Sequence, residues 1–449
     1  LIRALCLEGK LGNSLALLRT MVQERRTPDI ITHNYLMNAF CKRGDLGKAE
    51  WLFNQMICRG PSPTCATYNT LMGGYCLADE LDKALDIFSD MTKVGLLPNR
   101  VSCNILVHAL CRRGILEDAT KLLDSILAEV DLGSTFDVIT STIFMDGCFK
   151  TGKTVEALSH WGDVVHHGME DTVSYNVNIH GHCLTGDINR AQRSLAEMLK
   201  TGCVPDACTY NTFIGHLCKS GKMDEACCVF GTMRRMGVLP DEITFEILIR
   251  GLCSCGDALG SHGFLCLMLK SSFSPRPAIW NAVIDAYGKC GDLRSAVKMK
   301  DHMLEFDAVL PNAYTYNILI RWELRFGNTD GALYLKEEMQ LRGISPDLVT
   351  YNSLIGSVCS VGDMRSALDL YFEMQRRLDP DLVTYTQLLK CCCLRGEMRK
   401  AEWVFFELRI SGLAVDHVPF MILMKKYFKM GELDRVHDLY LEWSATGIR

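Results

Sequence analysis

The phrase Thr350-Tyr351-Asn352-Ser353-Leu354-Ile355 returns about every 35 residues from one end of this chain to the other. Tyr68-Asn69-Thr70-Leu71-Met72, Tyr175-Asn176-Val177-Asn178-Ile179, Tyr210-Asn211-Thr212-Phe213-Ile214 and Tyr316-Asn317-Ile318-Leu319-Ile320 are copies of it. A period of that size marks a solenoid, whose units bury their apolar faces only by stacking, so that the surface repeats as regularly as the core. Repetition therefore overrides the roughly two to four globular domains that such a length would otherwise suggest.

Units are counted from the residue after the recurrent Pro-Asp, as at Pro205-Asp206, Pro240-Asp241 and Pro346-Asp347. Eleven complete units then begin at Ile30, Cys65, Arg100, Val138, Thr172, Ala207, Glu242, Pro277, Ala313, Leu348 and Leu382, with partial ones at 1–29 and 417–449. Within the Ala207 unit, apolar residues recur at helical spacing in two stretches, Tyr210 to Leu217 and Met223 to Met233. A glycine separates the stretches in each complete unit except one, where Asp79 stands instead. Glycine suits the left-handed residue that closes a helix. Each unit is thus expected to be a helical hairpin, and the chain an all-α, right-handed superhelical solenoid of stacked helix-turn-helix repeats.

Nine of the 22 cysteines, among them Cys41, Cys111, Cys183 and Cys253, share one place in the register. That pattern fits a small buried hydrophobe and implies a reducing compartment. His180-Gly181-His182-Cys183 has the look of a ligand cluster, but helical residues two apart point to different faces, so no metal is expected. Apolar runs are broken by charges well short of a membrane span. The chain opens on Leu1 inside a unit and stops inside another, so a fragment is expected, with any targeting peptide outside it.

The pattern Val-Thr-Tyr-Asn-x-Leu-Ile, Cys-Lys-x-Gly, Ala, Phe, Met, Gly, Pro-Asp closely resembles the pentatricopeptide repeat family, P class. The Trp-x-x-Leu-Gly-x-x-Tyr pattern of the 34-residue tetratricopeptide repeat is absent. The resemblance implies sequence-specific binding of single-stranded RNA, one base per repeat. It further implies a non-catalytic monomer without cofactor, acting on an organellar transcript in the mitochondrion, or alternatively the chloroplast, with protein cofactors of RNA processing as further partners. The alternative is a helical scaffold for proteins, although a peptide groove would not restrict two positions to Asn, Thr and Asp.

In the family, a base is selected by the fifth residue of a repeat together with its last. The pairs here are Asn34/Thr64, Asn69/Asn99, Asn104/Asp137, Thr142/Asp171, Asn176/Asp206, Asn211/Asp241, Glu246/Arg276, Asn281/Asn312, Asn317/Asp347, Asn352/Asp381 and Thr386/Asp416. An amide can donate and accept at a base edge, and threonine lacks one of those groups. Asp before a helix is equally a good cap. By the family's rule Asn with Asp favours uracil, Thr with Asp guanine, and Asn with Asn pyrimidines, so the implied target is 5′-YYUGUU?YUUG-3′. Glu246 and Arg276 match no reading pair, and an unread nucleotide is expected there. Gly256, Gly260 and Gly263, placed in that unit's second helix, make it a candidate soft point.

The second residue is usually aliphatic: Ile31, Val101, Ile139, Val173, Ile243, Val349 and Val383. In the family these sandwich the bases; ordinary packing at a helix start is the alternative. The net charge of −5 is unusual for a nucleic-acid binder, yet Lys and Arg clearly outnumber Asp and Glu across the first fourteen positions of the units. Lys42, Arg112, Lys150, Lys219, Lys289, Arg325 and Lys429 share one of those positions, which faces phosphate in the family. Cations at a helix end also suit the macrodipole. Neither the His-x-Glu nor the Pro-Cys-x-x-Cys motif of a zinc deaminase occurs.

Overall fold

The computed structural model describes residues 1–24, 26, 28–121, 138–305 and 310–445. Every regular element among the described residues is helical, and none is a strand. Two compact units are distinguished: Leu1–His216 with Thr232–Leu239, and Leu217–Gly231 with Pro240–Arg449.

Each unit is a stack of hairpins. The first helix of a hairpin, helix A, runs Ile30–Lys42, Cys65–Leu77, Arg100–Arg112, Val138–Lys150 and Thr172–Leu184 in the first unit. Ala207–Lys219 holds residues of both units, and Glu242–Cys255, Pro277–Lys289, Ala313–Arg325, Leu348–Val361, Leu382–Arg395 and His417–Met430 belong to the second. The starts of helix A are chemically determined. Asp29, Asp171, Asp206, Asp241, Asp347 and Asp381 each accept a hydrogen bond from the backbone N–H three residues on, at 2.7–2.9 Å. One of the helix's orphan donors is thereby satisfied. Arg276 makes no such cap, and Pro277 at the first helical position removes a donor that would need one.

The ends of helix A are set by backbone conformation. Gly221, at φ 73°, and Gly362, at φ 83°, bracket the range of the glycines that close these helices. Asp79 takes the same left-handed conformation at φ 63° and accepts a hydrogen bond from Arg113 Nε at 3.0 Å. Gly256 belongs to this set. At φ 82° it closes Glu242–Cys255, and so lies outside the second helix in which it was expected. That second helix, Ala258–Lys270, is continuous despite Gly260 and Gly263 and buries Ser261, Leu265 and Met268. Gly260 leaves room for its own cap, because a Cβ there would lie 2.3 Å from Asp257 Oδ2.

Successive hairpins meet through helix A, where the twelfth residue of one faces the tenth of the next. A Cβ on Gly74 would lie 2.3 Å from Cys41 Sγ, one on Gly147 2.7 Å from Cys111 Cβ, and one on Gly251 2.7 Å from Cys218 Sγ. Where the twelfth residue is Phe149, the tenth is Gly181, whose Cβ would come within 2.1 Å of the ring. The sizes reverse where Gly288 faces Trp322, at 2.3 Å. The recurrent cysteine is thus a size-matched packing residue. Burial pushes the Cys41 and Cys218 thiols up to about 11 and those of Cys111 and Cys183 up to about 12.

Candidate nucleic-acid interface

At about 100° per residue, positions two, five and thirteen of helix A fall within an arc of about 80°. The opposite face carries positions four, seven, eight and eleven and forms the core. Tyr68, Tyr175, Tyr210, Tyr316, Tyr351 and Tyr385, all at position four, are buried. The recurring Tyr-Asn pair is therefore split, its tyrosine facing inward and its asparagine lying on the outer arc.

Position two does not pack. Ile31, Val101, Ile139, Val173, Ile243, Val349 and Val383 are each between 51% and 63% exposed. Tyr314, at the same position, is 65% exposed. An aliphatic side chain held in water at one register position in hairpin after hairpin gains nothing from burial in the chain's own core. The stripe is available to another apolar surface.

Position five is tightly organised. The amide nitrogens of Asn176, Asn317 and Asn352 donate to Asp206, Asp347 and Asp381 at 3.0–3.1 Å, and that of Asn69 donates to Asn99 at 3.2 Å. The amide oxygens accept from the hydroxyl at position three of the following hairpin. Thr209 reaches Asn176, Thr350 reaches Asn317 and Thr384 reaches Asn352 at 2.6 Å, while Ser102 reaches Asn69 at 2.7 Å. Thr140 reaches Asn104 at 2.7 Å and Thr315 reaches Asn281 at 2.8 Å. Each such Asn therefore has a defined orientation. At Asn176, Asn317 and Asn352, where both bonds form, one amide N–H and one oxygen lone pair remain for a ligand, whereas the second N–H of Asn69 is directed to Cys65 Sγ at 3.8 Å.

The last residue does two jobs at once. Asp206, Asp347 and Asp381 cap their helices through Oδ1 and also receive the Asn of the preceding hairpin. Burial pushes these carboxyls up. Hydrogen bonds from the threonine backbone and hydroxyl and from the Asn amide outweigh it and hold them below the ordinary aspartate range. They are ionised acceptors at neutral pH.

Threonine at position five behaves differently. Thr142 donates its hydroxyl proton to Val138 O at 2.7 Å, and Thr386 donates to Leu382 O at 2.6 Å. The proton is spent within the helix, so the oxygen is left as an acceptor. Asp171 and Asp416, the last residues of these hairpins, cap the next helices through Ser174 and Val418. At the other pairs, Asn34 Oδ1 is buried without a hydrogen-bond partner among the described residues, and the Thr64 hydroxyl lies 3.2 Å from that of Thr67. Asn211 is buried and Asp241 caps Thr244. Asn312 caps Thr315 at 3.1 Å. Asp137 lies outside the described residues.

Glu246 and Arg276, which match no reading pair by sequence, stand where Asn and Asp stand elsewhere and are joined to each other. Arg276 Nε donates to Glu246 Oε1 at 2.8 Å, and Nη2 bonds both carboxylate oxygens.

At position thirteen, Lys42, Arg112, Lys150, Lys219, Lys289, Arg325 and Lys429 are all exposed. Two of them are engaged by an acidic residue one turn earlier, Lys150 by Asp146 at 2.5 Å and Lys289 by Asp285 at 3.0 Å. The Arg325 guanidinium lies 5.0 Å from the centre of the Trp322 ring. His182 packs edge-on to Phe149, and no group of three or more His, Cys, Asp or Glu among the described residues is placed to hold a metal.

Sequence reasoning missed the position-three hydroxyl. Its signal is present, since that residue is Thr or Ser in every complete unit but one. It also missed a ladder of ion pairs made by buried lysines, Lys300 with Glu338 at 2.6 Å and Lys336 with Glu373 at 2.5 Å.

The family model described as the PPR repeat family matches residues 28–76, 63–112, 170–219, 205–254, 275–323, 311–360 and 346–394, more than half of the chain. The chain belongs to the pentatricopeptide repeat family. The PPR repeat model adds matches at 101–129, 243–273 and 383–413. A mitochondrial pentatricopeptide repeat-containing protein of Arabidopsis thaliana is 34% identical over 110 residues, 24% of this chain and 14% of that protein. A chloroplastic one from the same plant is 25% identical over 268 residues, 59% of this chain and 30% of that protein. The chain thus spans under a third of the length of these relatives. The crystal structure of the pentatricopeptide repeat protein PPR10 in complex with an 18-nucleotide psaJ RNA element covers 100% of this chain and 79% of its own, at 21% identity and a TM-score of 0.49.

Proposed function

We propose that this pentatricopeptide repeat protein binds single-stranded RNA sequence-specifically, one base per hairpin, and serves organellar RNA metabolism by stabilising, processing, splicing or assisting translation of a transcript. One observation carries the reading: an exposed apolar residue and an Asn oriented by the Asp that ends its hairpin recur on the same arc of helix A. The aliphatic stripe supplies platforms for base faces, and the pairs supply groups for base edges.

The spare groups match the bases that the family's rule assigns. An Asn with one free donor and one free acceptor complements a pyrimidine edge, which the rule narrows to uracil when the last residue is Asp. A Thr whose proton is spent, beside an Asp side chain, offers acceptors. Guanine answers with N1–H and N2–H2 as adjacent donors. The resulting target is 5′-YYUGUU?YUUG-3′. The relatives' mitochondrial and chloroplastic descriptions support an organelle as the site of action.

Selection from a random RNA pool tests the proposal. A U-rich consensus with guanines seven nucleotides apart is expected, and recovery of unenriched sequence would overturn it.

A further inference from the structure

We propose that the hairpin beginning at Glu242 reads cytosine, with Arg276 as the specificity-determining residue. The inference rests on the RNA-reading function above and deepens it.

Three positions change together at this hairpin. Glu246 replaces the Asn at position five, Arg276 replaces the Asp at the last position, and Ile279 replaces the hydroxyl at position three of the next helix. Ile279 is the single departure from Thr or Ser among the complete units, and it occurs where no amide oxygen is present to receive a hydroxyl. Ile279 is fully buried, so the site has closed around an apolar side chain. This is a coordinated replacement of the whole device. The base platform is kept, since Ile243 is 58% exposed.

The ion pair decides what a base would meet. Glu246 is nearly buried, and its carboxylate accepts from Nε and Nη2 of Arg276. Glu242 lies 3.8 Å from Nε on the same side. The Arg276 side chain is 63% exposed, and its Nη1 donors have no partner among the described residues. Arginine has no acceptor. The Arg276 guanidinium, the group nearest a base at this hairpin, therefore offers donors only, the opposite of the Thr-Asp edge and distinct from the mixed Asn-Asp edge.

On its Watson–Crick edge cytosine presents two adjacent acceptors, N3 and O2. Uracil places N3–H against the guanidinium, guanine places N1–H and N2–H2 there, and adenine offers N1 beside an N–H donor. Of the four Watson–Crick edges, cytosine's alone meets the site without opposing a donor to a donor. Guanine would do so only by turning its Hoogsteen edge, N7 and O6, to the guanidinium. Tighter binding of guanine than of cytosine would overturn the assignment.

The test uses the whole chain and four RNAs, 5′-UUUGUUNUUUG-3′, differing only at the seventh nucleotide, with a fifth RNA that carries guanine at the fifth nucleotide as a control, and affinities from fluorescence anisotropy. Cytosine is expected to bind at least about fivefold tighter than each other base, the lower end of what one good base contact contributes. Exchanging Glu246→Asn, Arg276→Asp and Ile279→Thr together should move the preference at that nucleotide to uracil. Equal affinity for all four bases, with uracil still preferred over guanine at the fifth nucleotide, would overturn the inference and leave Arg276 as a phosphate contact. Loss of discrimination at the fifth nucleotide as well would overturn the RNA-reading function itself. If the triple variant does not fold, as circular dichroism would show, the unmodified chain's four-base series still decides the matter.

Discussion

Changing Asn to Thr at position five changes where a proton goes. The Asn352 amide is held between Asp381 and Thr384, keeping a donor and an acceptor in reserve, whereas the Thr386 proton is consumed by Leu382 O. Asn352→Thr should accordingly switch the preferred tenth nucleotide from uracil to guanine, with a change in relative affinity of roughly tenfold. Anisotropy with the two RNAs measures it, and the preference at the ninth nucleotide, set by Asn317, should not move. At this scale the sequence was legible for identity but not for connection. Asp capping and Asp at a base-facing position looked like alternatives, because a cap and a ligand contact both call for a carboxylate. The structure removes the conflict, since one carboxylate caps its helix and holds the neighbouring amide. The joining of Glu246 to Arg276 was invisible for a related reason: the two are 30 residues apart and match no known pair.

Helix ends were the most legible elements, because their chemistry is local. A Pro-Asp before the first turn and a glycine after the last determine where helix A starts and stops within a few residues of chain. Contacts between helices carry no such signal. Phe149 with Gly181 and Gly288 with Trp322 solve the same packing problem with opposite sizes, so neither position has a constant character. Gly181→Ala should cost about 1–3 kcal/mol by overpacking against Phe149. Adding Phe149→Cys reproduces the Cys-Ala combination that Cys253 and Ala286 hold at these positions, and the combined cost should fall below the sum of the single costs. Chemical denaturation of the four proteins in the cycle measures the difference. The caps give a pH dependence. Asp206, Asp347 and Asp381 have folded pKa values below the unfolded one, so their stabilisation is fully present above the unfolded value and is lost as pH falls through the folded values. The part of the melting temperature that these carboxylates carry should be level from neutral pH to about 5 and decline below about 4. Asp347→Asn should soften that decline, since asparagine caps at Asn99 and Asn312 without titrating.

For the whole molecule, the net charge of −5 and the cations at position thirteen make opposite demands, and the salt dependence of binding decides between them. Single-stranded RNA loses affinity with salt at a slope of about −0.7 per phosphate neutralised. Seven cations would give a slope of about −5. Lys150 and Lys289 are already paired with Asp146 and Asp285, and exchanging a carboxylate for a phosphate releases less counterion than engaging an unpaired cation. A slope nearer −3.5, that of five cations, is therefore expected, measured as log affinity against log salt concentration with the 11-nucleotide target. Lys429→Ala should reduce its magnitude by about 0.7 and weaken every RNA alike, because phosphate contacts carry no base information. Lys150→Ala should change it less. Equal effects of the two substitutions would mean that the Asp146 pair does not persist in solution. A slope near zero would remove position thirteen from the interface and leave affinity to the aliphatic stripe and the base-reading pairs.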